Sequence, residues 1–206
     1  MEYSDKVKDH FLHPRNIGKI ENADVSATEG SPACGDQVTL YMNVNPDTLV
    51  IENIKFQSYG CASNIATGSI ITEMAIGKTL KDAFNINWKD AAEALDGLPP
   101  QKMHCSVLAV DTLQSAIKKY EIERGLREPD KFTKETIVSE LRKVLYPRLG
   151  KDIVTLKMVK YVGYEEGTAI IDIDIPEFDS YRDNIRVEIE EHLEKFQEIK
   201  KIKITM

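Results

Sequence analysis

Three of the 206 residues are cysteines, and each stands where a loop meets a regular element. Cys34 lies in SPACGDQ, a Pro/Gly-containing loop before a strand pattern. Cys61 lies in SYGCASN, between a strand pattern and a helix pattern. Cys105 lies in KMHCSV, just ahead of a helix pattern. A thiol at a helix start meets unpaired N–H groups and the positive end of the helix dipole, which favour the thiolate, the form that binds metal or attacks sulfur. The glycines beside Cys34 and Cys61 allow close backbone approach, with N–H groups free to donate to a bound sulfide. Asp36 is two residues from Cys34, so in an extended segment both side chains point the same way. His104 adjoins Cys105 after LPPQK, where the prolines keep the chain stiff and non-helical. Each residue also has an ordinary reading: a buried apolar cysteine, a loop-capping carboxylate, a surface histidine. The spacing is not the CxxC…CxxC of a closed zinc site. The residues themselves lead to an open, asymmetric three-cysteine site with Asp36 or His104 as a weaker fourth ligand.

The elements that must position these groups are readable from periodicity. Ser4 to Leu12 reads as a short helix stopped by Pro14. Asp36–Val44 and Leu49–Tyr59 alternate as strands, and Asn45-Pro46-Asp47 between them predicts an antiparallel hairpin. Helix patterns follow in CASNIATGSIITEMAIG, NWKDAAEALDG and CSVLAVDTLQSAIKKYEI, the last with an apolar stripe of Leu108, Leu113, Ala116, Ile117 and Tyr120. The charged run EIERGLREPDKF, with Gly125 and Pro129, predicts a boundary between a domain 1–125 and a second domain 126–206. Beyond it come TKETIVSELRKVL as helix, DIVTLKMVKYVGY and TAIIDIDI as strands, and YRDNIRVEIEEHLEKF as a helix capped by Ser180 with Asp183. KKIKITM closes as a strand with Ile202 and Ile204 inward. The expected fold class is α+β: an antiparallel sheet with helices on it, then a small α-β-β-α-β domain.

Composition narrows the function. A hydrophobic share of 42% and a charged share of 30% describe an ordinary globular chain. A net charge of −7 with no basic face argues against nucleic acid and anionic lipid as partners. No apolar run approaches the ~20 residues that cross a bilayer, and MEYSDKVKDHF has no export signal, so the expected compartment is the cytoplasm.

YSDKVKDHFLHPRNIG, ACGD, GCASNIATGSIITEM and LPPQKMHCSVLA, in that order, closely resemble the IscU / NifU N-terminal family of iron–sulfur cluster scaffolds. The resemblance covers about the first 125 residues. It implies a labile [2Fe–2S] cluster built from iron and from sulfur supplied by a cysteine desulfurase, then passed to apo iron–sulfur acceptor proteins. It makes Cys34, Cys61 and Cys105 the ligand cysteines and Asp36 the carboxylate tied to cluster lability. It also makes His104 the histidine that can join the site, with Zn2+ held in the same place when no cluster is present. Cys105, on an exposed rim, would receive persulfide sulfur. Leu98–Lys102 corresponds to the docking segment for an Hsp70-type chaperone, with Gln101 where the family often has valine.

VLYPRLGKDIVTLKMVKYV resembles the small SUF-associated metal–sulfur cluster assembly family. No cysteine follows Cys105, so the expected role of the second domain is partner docking or dimerisation, which would make the protein a homo-oligomer. The expectation is therefore a non-enzymatic scaffold. Its rivals are a zinc-binding regulator of a desulfurase and a thiol enzyme using Cys105 with His104 as base.

Overall fold

The computed structural model describes residues 3–31, 35–129 and 132–206, so Cys34 lies outside the described residues. The chain divides into two compact units, residues 1–129 and 130–206.

In the first unit α1 (Asp5–Leu12) is followed by strands β1 (Val25–Ser31), β2 (Asp36–Val44) and β3 (Ile51–Tyr59). They form an antiparallel sheet in the order β1-β2-β3. Helices α2 (Ala62–Ala75), α3 (Leu80–Phe84), α4 (Trp88–Ala94) and α5 (Met103–Glu123) complete it. The alternation read in β2 is the alternation of burial: Val38, Leu40, Met42 and Val44 face inward and meet Ile54 and Phe56 of β3. Ala109, Leu113, Ala116, Ile117 and Tyr120 of α5 close this core. Gly68 lets α2 lie directly on the sheet, since a Cβ there would come within 2.6 Å of the Phe56 ring.

Helix α2 is buried on nearly every side, Ser63, Asn64, Thr67, Ser69 and Thr72 included. Buried hydroxyls need partners. The Ser69 hydroxyl accepts from the Arg15 N–H at 2.9 Å and shares a 2.8 Å hydrogen bond with His10 Nδ1, which ties α1 and its following turn to α2. At its start α1 is capped by Ser4, whose Oγ accepts from the Val7 N–H and donates to the Leu95 carbonyl.

Three local departures from the sequence reading have physical causes. β1 is an edge strand with a weak pattern, VSATEGS, in which Val25 is the buried apolar residue among those described. Helix α3 is too short for a periodic signal. β3 begins at Ile51 and not Leu49, because Leu49 adopts φ 55 in the turn. There Asn45 Oδ1 accepts from the N–H groups of Asp47 and Thr48.

The second unit contains α6 (Lys134–Leu141), a two-residue hairpin β4 (Leu145–Tyr146) and β5 (Lys151–Asp152), β6 (Val159–Glu165), β7 (Thr168–Ile173), α7 (Arg182–Glu194) and β8 (Lys201–Thr205). The main sheet runs β6-β7-β8, with β6 antiparallel and β8 parallel to β7. The expected α-β-β-α-β order is present with the small hairpin added. DIVTLKMVKYVGY does not form one strand: a turn with Lys157 at φ 58 separates β5 from β6. Nor does Ser180 cap α7. The helix begins after Tyr181, whose N–H donates to Asp179 Oδ1 at 2.9 Å. Ile137 and Leu141 of α6, Ile185, Ile189 and Leu193 of α7, and Ala169, Ile171 and Ile173 of β7 form its core.

Candidate metal centre

The start of β2, the start of α2 and the first turn of α5 meet at one point. Asp36 is the first residue of β2, Cys61 is the N-cap residue of α2, and His104 and Cys105 are the second and third residues of α5. One Asp36 oxygen, Oδ1, accepts the Cys61 N–H at 3.0 Å. The other, Oδ2, lies 3.1 Å from His104 Nε2 and 3.8 Å from Cys105 Sγ. Cys105 Sγ is 3.4 Å from His104 Nε2 and 3.6 Å from Cys61 Sγ. Of the five residues the sequence singled out, these four stand together; Cys34 is beyond the described residues.

The expected exposed rim is not found for Cys105. Its first turn folds into α5 with the side chain fully buried, while Cys61 is half-buried. The reason is helical phase: Cys105 lies on the same inward face as Ala109 and Thr112, and Thr67 Oγ1 of α2 donates to its carbonyl at 3.1 Å. His104, one residue earlier, is turned outward with 39% of its side chain exposed, against 17% for Asp36. The imidazole is therefore the more open to solvent of those two side chains.

Charge follows from this geometry. The hydrogen bond between the Cys61 and Cys105 thiols, together with the Asn64 N–H, outweighs burial and holds the Cys61 thiol well below its usual range. That same bond, reinforced by burial and by the negative charge of Cys61 and Asp36, pushes Cys105 far up. The two thiols are thereby coupled, so that ionisation of one opposes ionisation of the other. Burial pushes the Asp36 carboxyl up, but the hydrogen bonds from His104 and the Cys61 N–H win and hold it below the ordinary carboxylate range.

Sequence reading passed over Asn64, and read Gly60 only as a place of close backbone approach. Asn64 donates to Ser58 Oγ at 3.0 Å and to the Tyr59 carbonyl at 3.2 Å, binding the α2 start to the end of β3. Gly60, at φ 152, leaves the space that the Asp36 carboxylate occupies; a Cβ there would overlap Oδ1. The run YGCASN carries both residues, but its partner Asp36 is remote in sequence.

Two thiols, an imidazole and a carboxylate suit zinc or iron–sulfur species and not Mg2+ or Ca2+, which take oxygen ligands. The donor atoms of Asp36, His104 and Cys105 lie within 4.8 Å of one another, close enough to bind one ion.

Fold and corner together define an α+β protein with an open thiolate–carboxylate–imidazole site. The chain belongs to the NifU-like N-terminal domain family, whose match spans residues 2–127, and residues 134–206 match the family described as iron–sulfur cluster assembly protein. It is 52% identical over 142 residues to the iron-sulfur cluster assembly scaffold protein IscU 1 of Archaeoglobus fulgidus, covering 69% of this chain and 90% of that protein. It is 46% identical over 139 residues to the scaffold protein IscU of Aquifex aeolicus (65% and 88%) and 46% identical over 127 residues to that of Escherichia coli (60% and 98%). Among the described residues no helix is long and apolar enough to cross a membrane.

Proposed function

We propose that the protein is a non-enzymatic scaffold on which iron–sulfur clusters are assembled and from which they are passed on. The observation that carries this is the convergence of Asp36, Cys61, His104 and Cys105 from three separate element ends. The relatives named as scaffold proteins support it. In this reading the cargo is a [2Fe–2S] cluster, held by Cys34, Cys61 and Cys105 with Asp36 or the exposed His104 as the replaceable fourth ligand. An incomplete thiolate set serves a carrier, because a closed site of four thiolates would hold its cargo too firmly. Sulfur comes from a cysteine desulfurase and iron as the free ion; apo iron–sulfur proteins receive the product. Residues 1–125 act as the scaffold domain and 126–206 as an accessory domain for docking or dimerisation. Leu98–Lys102 serves as a chaperone-docking segment.

Anaerobic reconstitution with iron, cysteine and a desulfurase tests this. Iron and acid-labile sulfide in roughly equal amounts, lost on Cys61→Ser or Cys105→Ser, is the expected result. Tightly held zinc that blocks all cluster formation would overturn it.

A further inference from the structure

The second unit carries two tight turns fastened to each other. In residues 146–149 the Leu149 N–H donates to the Tyr146 carbonyl at 3.1 Å, and in residues 176–179 the Asp179 N–H donates to the Pro176 carbonyl at 3.0 Å. Tyr146 Oη donates to Asp179 Oδ2 at 2.6 Å, which joins the turns at their bases. The Arg148 guanidinium lies over the Tyr181 ring, 5.6 Å from its centroid, and Asp179 Oδ1 is taken by the Tyr181 N–H. These joined turns hold two large apolar side chains in water, Phe178 at 95% and Leu149 at 57% exposure. Apolar side chains displayed together on rigid loops mark a contact surface. Each follows a charge in the chain: Arg148 precedes Leu149 and Glu177 precedes Phe178. Among the described residues neither charge has an ion-pair partner. Stacking on Tyr181 orients the guanidinium without neutralising it.

We propose that the two turns are the contact through which two copies of this chain associate about a two-fold axis. Charge selects a second copy as the occupant. The patch offers one uncommitted cation and one uncommitted carboxylate, so an identical patch complements both, whereas an acidic or a basic partner would answer only one. A two-fold contact uses the same surface on both sides, and every pair in it occurs twice. Arg148 of one copy meets Glu177 of the other, and the reciprocal pair forms with it; Phe178 of each packs on Leu149 of its mate. The turns are already held by their own hydrogen bonds, so little conformational freedom is lost on association. Two four-residue turns fall short of the ~20–30 residues a side of a standard interface, so the dimer is reversible, with a Kd on the order of 10 μM. This deepens the reading of residues 126–206 as a dimerising domain and needs nothing from the cysteine site.

Sedimentation velocity of the full chain tests this, with a chelator and a thiol reductant present to remove metal-bridged and disulfide-bridged species. Between about 1 and 200 μM the unaltered chain should pass from monomer to dimer. Arg148→Glu and Glu177→Arg each set like charges against one another in a homodimer, so each should weaken association by about 10-fold or more. Mixed one to one, the two variants should dimerise again, because both pairs then have opposite signs; the double variant Arg148→Glu/Glu177→Arg should dimerise by itself. Phe178→Ser should stay monomeric. That side chain is outside the buried core of its unit, so this variant decides the matter even if the charge reversals disturb the turns. A chain monomeric at every concentration would overturn the inference and leave the turns to a partner of another kind. A dimer that survives Phe178→Ser, or folded charge variants that stay apart on mixing, would overturn it as well. Reconstitution of Phe178→Ser with ferrous salt and inorganic sulfide keeps the two readings separate: cluster formation there leaves the scaffold standing whatever the association does.

Discussion

The carboxylate of Asp36 and the backbone N–H of Cys61 are joined by a 3.0 Å hydrogen bond across 25 residues of sequence. The bond fixes the start of α2 to the start of β2 and leaves the second carboxylate oxygen facing His104 and Cys105. Asp36 is thereby both a structural acceptor and a candidate ligand, and its two oxygens separate those roles.

Replacing Asp36 should expose both. Asp36→Ala removes the acceptor at the α2 N-terminus, which should lower stability by about 1–2 kcal/mol, and it should slow cluster release by removing the hard oxygen donor. Asp36→Asn keeps an acceptor and should recover much of the stability. Thermal unfolding reads the first effect, and transfer rate to an apo-ferredoxin the second. Equal transfer from wild type and Asp36→Ala would exclude a role in lability.

Gly60→Ala should damage the same corner from the other side. The new methyl overlaps Asp36 Oδ1, so the carboxylate must leave its place; a loss of roughly 1–3 kcal/mol is expected from such overpacking, with weaker zinc binding. Gly35→Ala shares the positive φ but meets nothing within 4 Å, so it should leave zinc binding nearly intact. Zinc titration of the two variants compares them directly, and matching affinities would show that Gly60 is needed only for its backbone angle.

Acid should loosen the second unit through Glu140. Its carboxylate is buried, yet His192 at 3.3 Å, Lys143 at 3.1 Å and Lys195 at 3.0 Å hold it. Burial pushes its pKa up, but these partners prevail and lower it to about 2 from the ordinary 4.5. A carboxylate depressed in the folded state stabilises above its unfolded pKa and loses that contribution as pH falls. The contribution, on the order of 3 kcal/mol, should therefore be complete above about pH 5 and fade between about 4.5 and 2. Amide exchange in α6 and α7 should quicken over that window. Glu140→Gln should flatten the pH dependence and destabilise the unit at neutral pH. A variant with the wild-type acid profile would show that another group is responsible.

Removing residues 130–206 should leave cluster assembly intact. The buried core around β2, β3, α2 and α5 contains only residues of the first unit, and the core around α6, α7 and β7 only residues of the second. Cluster yield of the truncated chain, with its oligomeric state by light scattering, reads the effect. Loss of cluster binding would mean that the site needs the second unit.

Much of this molecule is legible one segment at a time, because local periodicity is written in adjacent residues. The alternation Val38, Leu40, Met42, Val44 declares a strand and its buried face. Ser4 announces the start of α1, and the four motifs, three of them around Asp36, Cys61 and Cys105, identify the family. Residue types also limited the chemistry to thiolates with a weaker oxygen or nitrogen donor. What required the tertiary structure is everything that depends on contacts between distant segments. β1 became a strand because β2 pairs with it, despite its own weak pattern. The polar face of α2 is buried because α1 covers it and His10 and Arg15 supply partners to Ser69. Cys105, read as exposed beside two prolines, is buried because the helix begins at Met103 and its phase turns the sulfur inward against Cys61. Asp36 meets Cys105 across 69 residues. Contacts of that span leave no periodic trace in the chain; only the packing of α2 and α5 on the sheet decides which sulfur is sheltered and which is reachable.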